Sequence, residues 1–198
     1  MVLQKAKAQV EYWWRVAKLV MGAMMVWGLV FSLVTIAKLG VAFDYDDTLV
    51  FSTPAYEKAY AASPRAVGPR FWSIVNQSYD LERPKIVPLA LAWALRVLGF
   101  RVTIIASRPD TDGAALQKEW RRLAPKSRFL FAGEGGSKRR FLEGGNLVLF
   151  FGDSDTDISE ARKADVFPVR VKRSSRSSYQ DDYRPGTMRE IVLPLSQY

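Results

Sequence analysis

The chain has 198 residues, 48% of them hydrophobic, and a formal net charge of +9. That length can bury one sizeable core, so one soluble domain is the default count. It contains no cysteine and no histidine, which excludes disulfides, thiolate nucleophiles, histidine bases and histidine metal sites. Acid, base and nucleophile must therefore come from carboxylates, lysine, tyrosine or hydroxyls. A basic balance invites nucleic acid or an anionic membrane as partner. The Lys and Arg residues are scattered, however, and no zinc-finger spacing or other nucleic-acid module is present, so a nucleic-acid polymer is not an expected partner.

The first element is the uncharged run Leu19–Ala37. At ~1.5 Å per residue it makes ~28 Å of helix, about one hydrocarbon core. Tyr12, Trp13 and Trp14 stand just upstream, as an interfacial belt would. Lys5, Lys7, Arg15 and Lys18 crowd the N-terminal flank and only Lys38 follows. This predicts an N-terminus in the cytoplasm and a domain on the periplasmic or extracytoplasmic side of the membrane. A cleaved signal peptide competes with an uncleaved anchor, but its n-region would be long and Thr35-Ile36-Ala37 is a poor cleavage site. The expected division is 1–38 for flank and anchor, and 39–198 for the soluble domain. Only Leu39 and Gly40 join the two, so no flexible tether is available.

Beyond the join, Val41–Phe43 predicts a core strand. Residues 52–84 read as an irregular, partly helical insertion over the strand's carboxyl end. Lys85–Leu98 is an amphipathic helix with Ile86, Leu89, Ala90, Trp93, Ala94 and Val97 in register, stopped by Gly99. Arg101–Ala106 is a strand and Asp110–Leu123 a helix. Arg128–Ala132 is a short strand, followed by a loop at Gly133–Gly136 and a short helix through Leu142. Leu147–Phe151 is a buried strand, with a helix from about Thr156. Val166–Val171 is a strand, Lys172–Pro185 a polar loop and Ile191–Leu193 a final strand. Strands alternating with helices predict an α/β, Rossmann-like parallel sheet covered on both faces.

Ligands in such sheets bind at the strands' carboxyl ends. Asp44, Ser107 and Asp153 each fall at one. The first strand runs into Asp44-Tyr45-Asp46-Asp47-Thr48. If it persists, Asp44 and Asp46 point the same way. Adjacent carboxylates repel, and a divalent cation such as Mg2+ is the simplest remedy. A polar turn with Asp46 or Asp47 capping a helix is the plain alternative.

The pattern Asp44-x-Asp46-x-Thr48 after an apolar strand resembles motif I of the haloacid dehalogenase (HAD) superfamily. The longer string from Phe43 to Pro54, FDYDDTLVFSTP, is similar to the class B nonspecific acid phosphatases. Gly152-Asp153-Ser154-Asp155-Thr156-Asp157-Ile158 resembles the last motif of that family, and Lys138 precedes it at a fitting distance. The similarity runs from about Val41 to the C-terminus. It implies a HAD-like domain with a small helical cap insertion at 52–84, and a Mg2+-dependent phosphatase acting on nucleotides or other small phosphomonoesters.

The resemblance also assigns roles. Asp44 is the expected nucleophile, Asp46 the general acid and then base, and Thr48 a support for that loop, unless it serves a plain hydroxyl turn. Mg2+ is expected on the Asp44 carboxylate, the Asp46 carbonyl and Asp153. Asp157 is expected to support the lysine or the metal, a task for which Asp155 competes when it does not simply cap the helix. Ser107 and Lys138 are expected phosphate ligands. Relatives read Thr-Gly-Arg where this chain has Ser107-Arg108, so either a glycine is lost and Arg108 is the expected phosphate ligand, or Arg108 sits on the glycine position and is not. Phe51, Phe71, Trp72 and Tyr179 match aromatic positions that shape the substrate pocket, and a core role competes for each.

An aspartyl-phosphate could also pass its phosphoryl group to an alcohol, so phosphotransfer is expected beside hydrolysis. A phosphatase for membrane-borne phosphates and a silent membrane-attached binding subunit are the alternatives. The resemblance implies a homo-oligomer built from N-terminal segments. An apolar run replaces those segments here, which puts that assembly in question.

Overall fold

A computed structural model describes residues 2–64 and 67–198, with the side chains of residues 2–6 and 8 outside that description; Lys5 of the basic flank and two positions of the insertion therefore fall outside it. Helix α1 (Val2–Ile36) includes Gln9–Ile36, a stretch long and apolar enough to cross a membrane and almost wholly exposed. Directly after Leu39 the chain is already in β1, Gly40–Asp44, which is buried throughout.

β1 is central in the main sheet. After it come β2 (Val50–Phe51), α2 (Thr53–Ala62), α3 (Pro69–Gln77), β3 (Arg83–Pro84) and α4 (Ile86–Val97). The chain continues through β4 (Arg101–Ala106), α5 (Ala114–Trp120), β5 (Phe129–Phe131), α6 (Arg139–Glu143) and β6 (Leu147–Gly152). It ends with α7 (Asp155–Lys163), β7 (Phe167–Arg170) and β8 (Ile191–Val192). The six-stranded sheet runs β5-β4-β1-β6-β7-β8, and every pairing is parallel. Gly40 permits the tight start of β1: an added Cβ would lie 2.8 Å from Leu147 and 3.2 Å from the Arg101 carbonyl.

Strand alternation sends Val41 and Phe43 to one face and Ala42 to the other. The first face packs with Val102, Ile104 and Phe151 under α4 and α5; the rings of Phe43 and Phe151 stack at 4.5 Å. The second packs with Ile105, Phe150 and Leu142 under α6 and α7. The expected doubly covered sheet is present.

Three expectations change. The apolar row Ile86, Ala90, Trp93, Ala94 and Val97 is the exposed side of α4, and Ala92 with Leu89, Leu91 and Leu95 packs on the core instead. The insertion is more regular than its Pro and Ala content suggested. α2 and α3 each begin with a proline in the first turn, where its missing N–H costs nothing. They share a small core of Ala59, Phe71, Trp72 and Val75, and β2 pairs antiparallel with β3 to close the base. The helix expected over Asp110–Leu123 is shortened to Ala114–Trp120. Asn76 of α3 donates to the carbonyls of Pro109 and Thr111 at 3.0 and 2.8 Å, holding that stretch extended beneath the insertion.

Candidate active site

β1 ends at Asp44 because Asp46 makes only an isolated bridge to Val50 and Asp47 turns into the left-handed region at φ 52°. The strand therefore does not persist to Asp46, and the two carboxylates diverge. Asp44 faces the sheet's carboxyl rim, and Asp46 turns toward the loop after β4.

Asp44 is 3% exposed. Its Oδ1 accepts from Lys138 Nζ at 2.6 Å, and the same ammonium donates to Asp157 Oδ1 at 2.6 Å. Thr48 Oγ1 donates to Asp153 Oδ1 at 3.0 Å and stands 3.4 Å from Asp44 Oδ2. One oxygen from each of Asp44, Asp153 and Asp157 lies within 4.8 Å of the others. Lys138 sits at the start of α6, Asp153 just past β6 and Asp157 in α7. Asp157 is fixed by a capping box in which its backbone N–H donates to Ser154 Oγ, at 2.9 Å, and its carboxylate accepts from the Ser154 N–H. Ser154 is thus the helix cap, which corrects the capping role considered for Asp155. Asp155 instead pairs with Arg170 and Arg184.

Three buried carboxylates meet the Lys138 ammonium and, at Asp153, the Arg173 guanidinium, leaving an excess of one negative charge. Burial is the main cause that raises the Asp44 pKa well above the usual carboxylate range; Lys138 opposes it, while Asp157 and Asp153 add to it. Burial works to lower Lys138, but Asp157 and Asp44 outweigh it and hold the ammonium protonated above the ordinary lysine range. Hard oxygen donors with surplus charge fit a small divalent cation. Asp44 and Asp153 are the side chains that would hold it; the Asp46 carboxylate lies outside this group.

Asp46 is held by Arg108, whose Nε donates to it at 3.0 Å and whose Nη2 also reaches Glu82. Glu82 accepts in addition from the Tyr45 hydroxyl. Arg108 is fully buried, lies over the rings of Tyr45 and Tyr56, and leaves Nη1 buried without a partner. Despite the missing glycine, Arg108 therefore stands at the rim. Ser107 follows directly on β4 and is half-buried.

The aromatic residues divide. Phe71 is buried in the core of the insertion and Phe51 is half-buried in β2. Trp72 is 7% exposed and donates from Nε1 to Glu134 at 3.1 Å, bridging the insertion to the loop after β5. Tyr179 is 56% exposed, with Arg173 over its ring at 5.1 Å.

Glu82, Arg170 and Arg173 lie outside the sequence motifs yet brace the site. Arg170 carried a signal, a charge inside an apolar strand that must find partners once buried. It donates to the Asp153 carbonyl at 2.6 Å and pairs with Glu190 and Asp155. Arg173, in the serine-rich loop, binds Asp153 Oδ2 and the carbonyl of Asp181. No local pattern marks it.

A parallel sheet with an acidic rim on its central strand and a small helical insertion defines a HAD-like hydrolase. The fold matches a haloacid dehalogenase-like hydrolase from Bacteroides fragilis with a TM-score of 0.50 at 16% identity, covering 81% of this chain and 98% of that one. No family model matches the chain. Among curated proteins, the class B acid phosphatase of Enterobacter sp. is 31% identical over 181 residues, 84% of this chain and 76% of the relative. That of Morganella morganii is 32% identical over 175 residues, 81% and 74%. The chain belongs to the class B acid phosphatase family.

Proposed function

We propose that this phosphatase hydrolyses phosphomonoesters through an aspartyl-phosphate on Asp44, with Mg2+ as its divalent ion, and that α1 anchors residues 39–198 to a membrane. The observation that carries the reading is the position of Asp44. It ends the central strand, buried, with Lys138 on one oxygen and Thr48 near the other.

The Asp44 carboxylate attacks phosphorus, and the bond to the ester oxygen breaks. Asp46 supplies the proton that the departing alkoxide takes up. It then removes a proton from water, which attacks the phosphoryl group and releases inorganic phosphate and free Asp44. Ser107, Arg108 and Lys138 bind the phosphoryl oxygens. The unpartnered Nη1 of Arg108 supports its part in this, and the Lys138 ammonium offsets charge that develops in transfer. Mg2+, held by Asp44, the Asp46 carbonyl and Asp153, would supply charge neutralisation between nucleophile and phosphate. Thr48 and Asp157 keep Asp44, Asp153 and Lys138 in place. An alcohol in place of water would accept the phosphoryl group, giving phosphotransfer.

Trp72, Phe51 and Tyr179 are the aromatic residues proposed to line the substrate entrance, where they would suit small organic phosphates such as nucleotides. Membrane-borne phosphates suit this geometry less well. The rim is a strand length from α1, about 20 Å for the six residues of β4.

The test is hydrolysis of an aryl phosphate by the full chain in detergent. Asp44→Asn, nearly isosteric but unable to attack, should lose all but a trace of kcat, and wild type quenched in acid should carry phosphate that the variant lacks. Chelation should abolish turnover and Mg2+ restore it. Substantial turnover by Asp44→Asn rejects the intermediate, and full activity after thorough chelation rejects the metal.

A further inference from the structure

We propose that the end of the domain next to α1, formed by Arg101, Arg121, Arg122, Lys126 and Arg128, is a docking surface for anionic lipid headgroups. The proposal rests on the reading of α1 as a membrane anchor.

The helix is fastened to the domain. Asn146 donates to the Ala37 carbonyl at 2.7 Å, and the Arg101 guanidinium donates to that of Lys38. The Leu39 N–H returns to Val34 at 3.1 Å, and the Gly40 N–H to Asn146 at 3.0 Å. Val34 is buried, and Gly99 lies so close to α1 that an added Cβ would be 2.9 Å from Thr35 and 3.1 Å from Phe31. A helix fixed in this way cannot swing freely, so the domain end beside it is held near the bilayer when α1 spans it.

Parallel topology brings to that end the segments leading into β1, β4, β5, β6 and β7. Residues 37–40, 97–101, 121–128, 143–147 and 163–167 together hold seven Lys or Arg residues against two acids, Glu143 and Asp165. The catalytic carboxylates are all at the opposite end. Among the described residues none of the five named cations forms an ion pair. Arg101 Nε is buried without a partner. Burial, and then the charge of Arg101, lower the Arg128 pKa, so the two guanidinium groups repel with no carboxylate between them. Val97 and Phe167 stand exposed at the same end. Like cations around exposed apolar side chains are the composition of an interfacial surface, with long stems in the apolar boundary and charged heads on phosphates.

The absence of cysteine permits a clean probe. Ser127→Cys, in the basic loop, carries a fluorophore, and the full chain is placed in nanodiscs containing a headgroup-quencher lipid. Ser175→Cys, in the loop near the active-site rim, is the distance control. Adding phosphatidylglycerol to phosphatidylcholine discs should increase quenching at 127 but not at 175, and high salt should reverse it. Arg121→Gln, Arg122→Gln and Lys126→Gln should each raise the phosphatidylglycerol needed for half-maximal quenching by roughly fivefold, the factor for one cation at an anionic surface. Quenching that ignores phosphatidylglycerol, or that all three variants leave unchanged, overturns the docking surface while α1 remains protected from protease. A chain whose α1 is digested or absent from the disc overturns the anchor as well.

Discussion

Arg108 serves two acids. Its guanidinium holds Asp46, the proposed proton donor, and is itself held by Glu82, just before the return strand of the insertion. Glu82 is buried, and burial is the chief cause that raises its pKa, with Arg108 opposing. Removing one partner of a buried pair leaves the other uncompensated, and displacement near a reacting group costs up to roughly 10²-fold in rate. Glu82→Ala should therefore lower kcat/KM by about that factor, and Glu82→Gln, which keeps an acceptor oxygen, by less than about tenfold. Equal kinetics in both variants and wild type would show that Arg108 needs no second carboxylate. The sequence made Arg108 visible because it stands beside a strand end. Glu82 was hidden because its partner is 26 residues away, a separation with no local periodicity to mark it.

Among the elements, β1, β4 and β6 were legible for a simple reason. Each is a run of mainly apolar and β-branched residues that stops at a polar residue, and strands buried on both faces need such runs. α2 and α3 were not, since their core is private and small, and proline and alanine masked the rhythm. The step from β3 to α4 holds a feature with a pH signature. Lys85 is 2% exposed and donates at 2.6 Å to the carbonyls of Asp47 and Lys172, joining the nucleophile loop to the serine-rich loop. Burial lowers its pKa to about 8 from 10.5. Between those values the unfolded chain keeps a proton that the folded chain has released, so stability from this group rises with pH across the window and falls away as pH drops through about 8. Lys85→Met should be less stable overall, since two carbonyls lose their donor, and should lack that rise. Denaturant unfolding at pH 7.5, 9 and 10 compares the slopes, and parallel curves would refute the assignment.

At the scale of the whole molecule, the sheet separates two chemistries. Parallel strands put the carboxylates on one rim and the basic connections on the other, and α1 enters at the basic end. The proposed topology follows from that polarity. The cations of the N-terminal flank oppose translocation of that end, while Lys38 alone follows the apolar run. A helix of this hydropathy gains far more in a hydrocarbon core than on a surface that leaves half of it wet. Were α1 to cross the bilayer with its end fastened to Asn146 and Arg101, the Asp44 rim would face away from the lipid, open to soluble substrate on the proposed extracytoplasmic side. Protease added to sealed spheroplasts should therefore digest the domain and leave a membrane-protected fragment ending near Lys38. Protection of the whole domain would place it in the cytoplasm. An intact soluble chain beginning near Lys38 would show that α1 is a cleaved leader, and the active-site rim would then have no fixed orientation to any membrane.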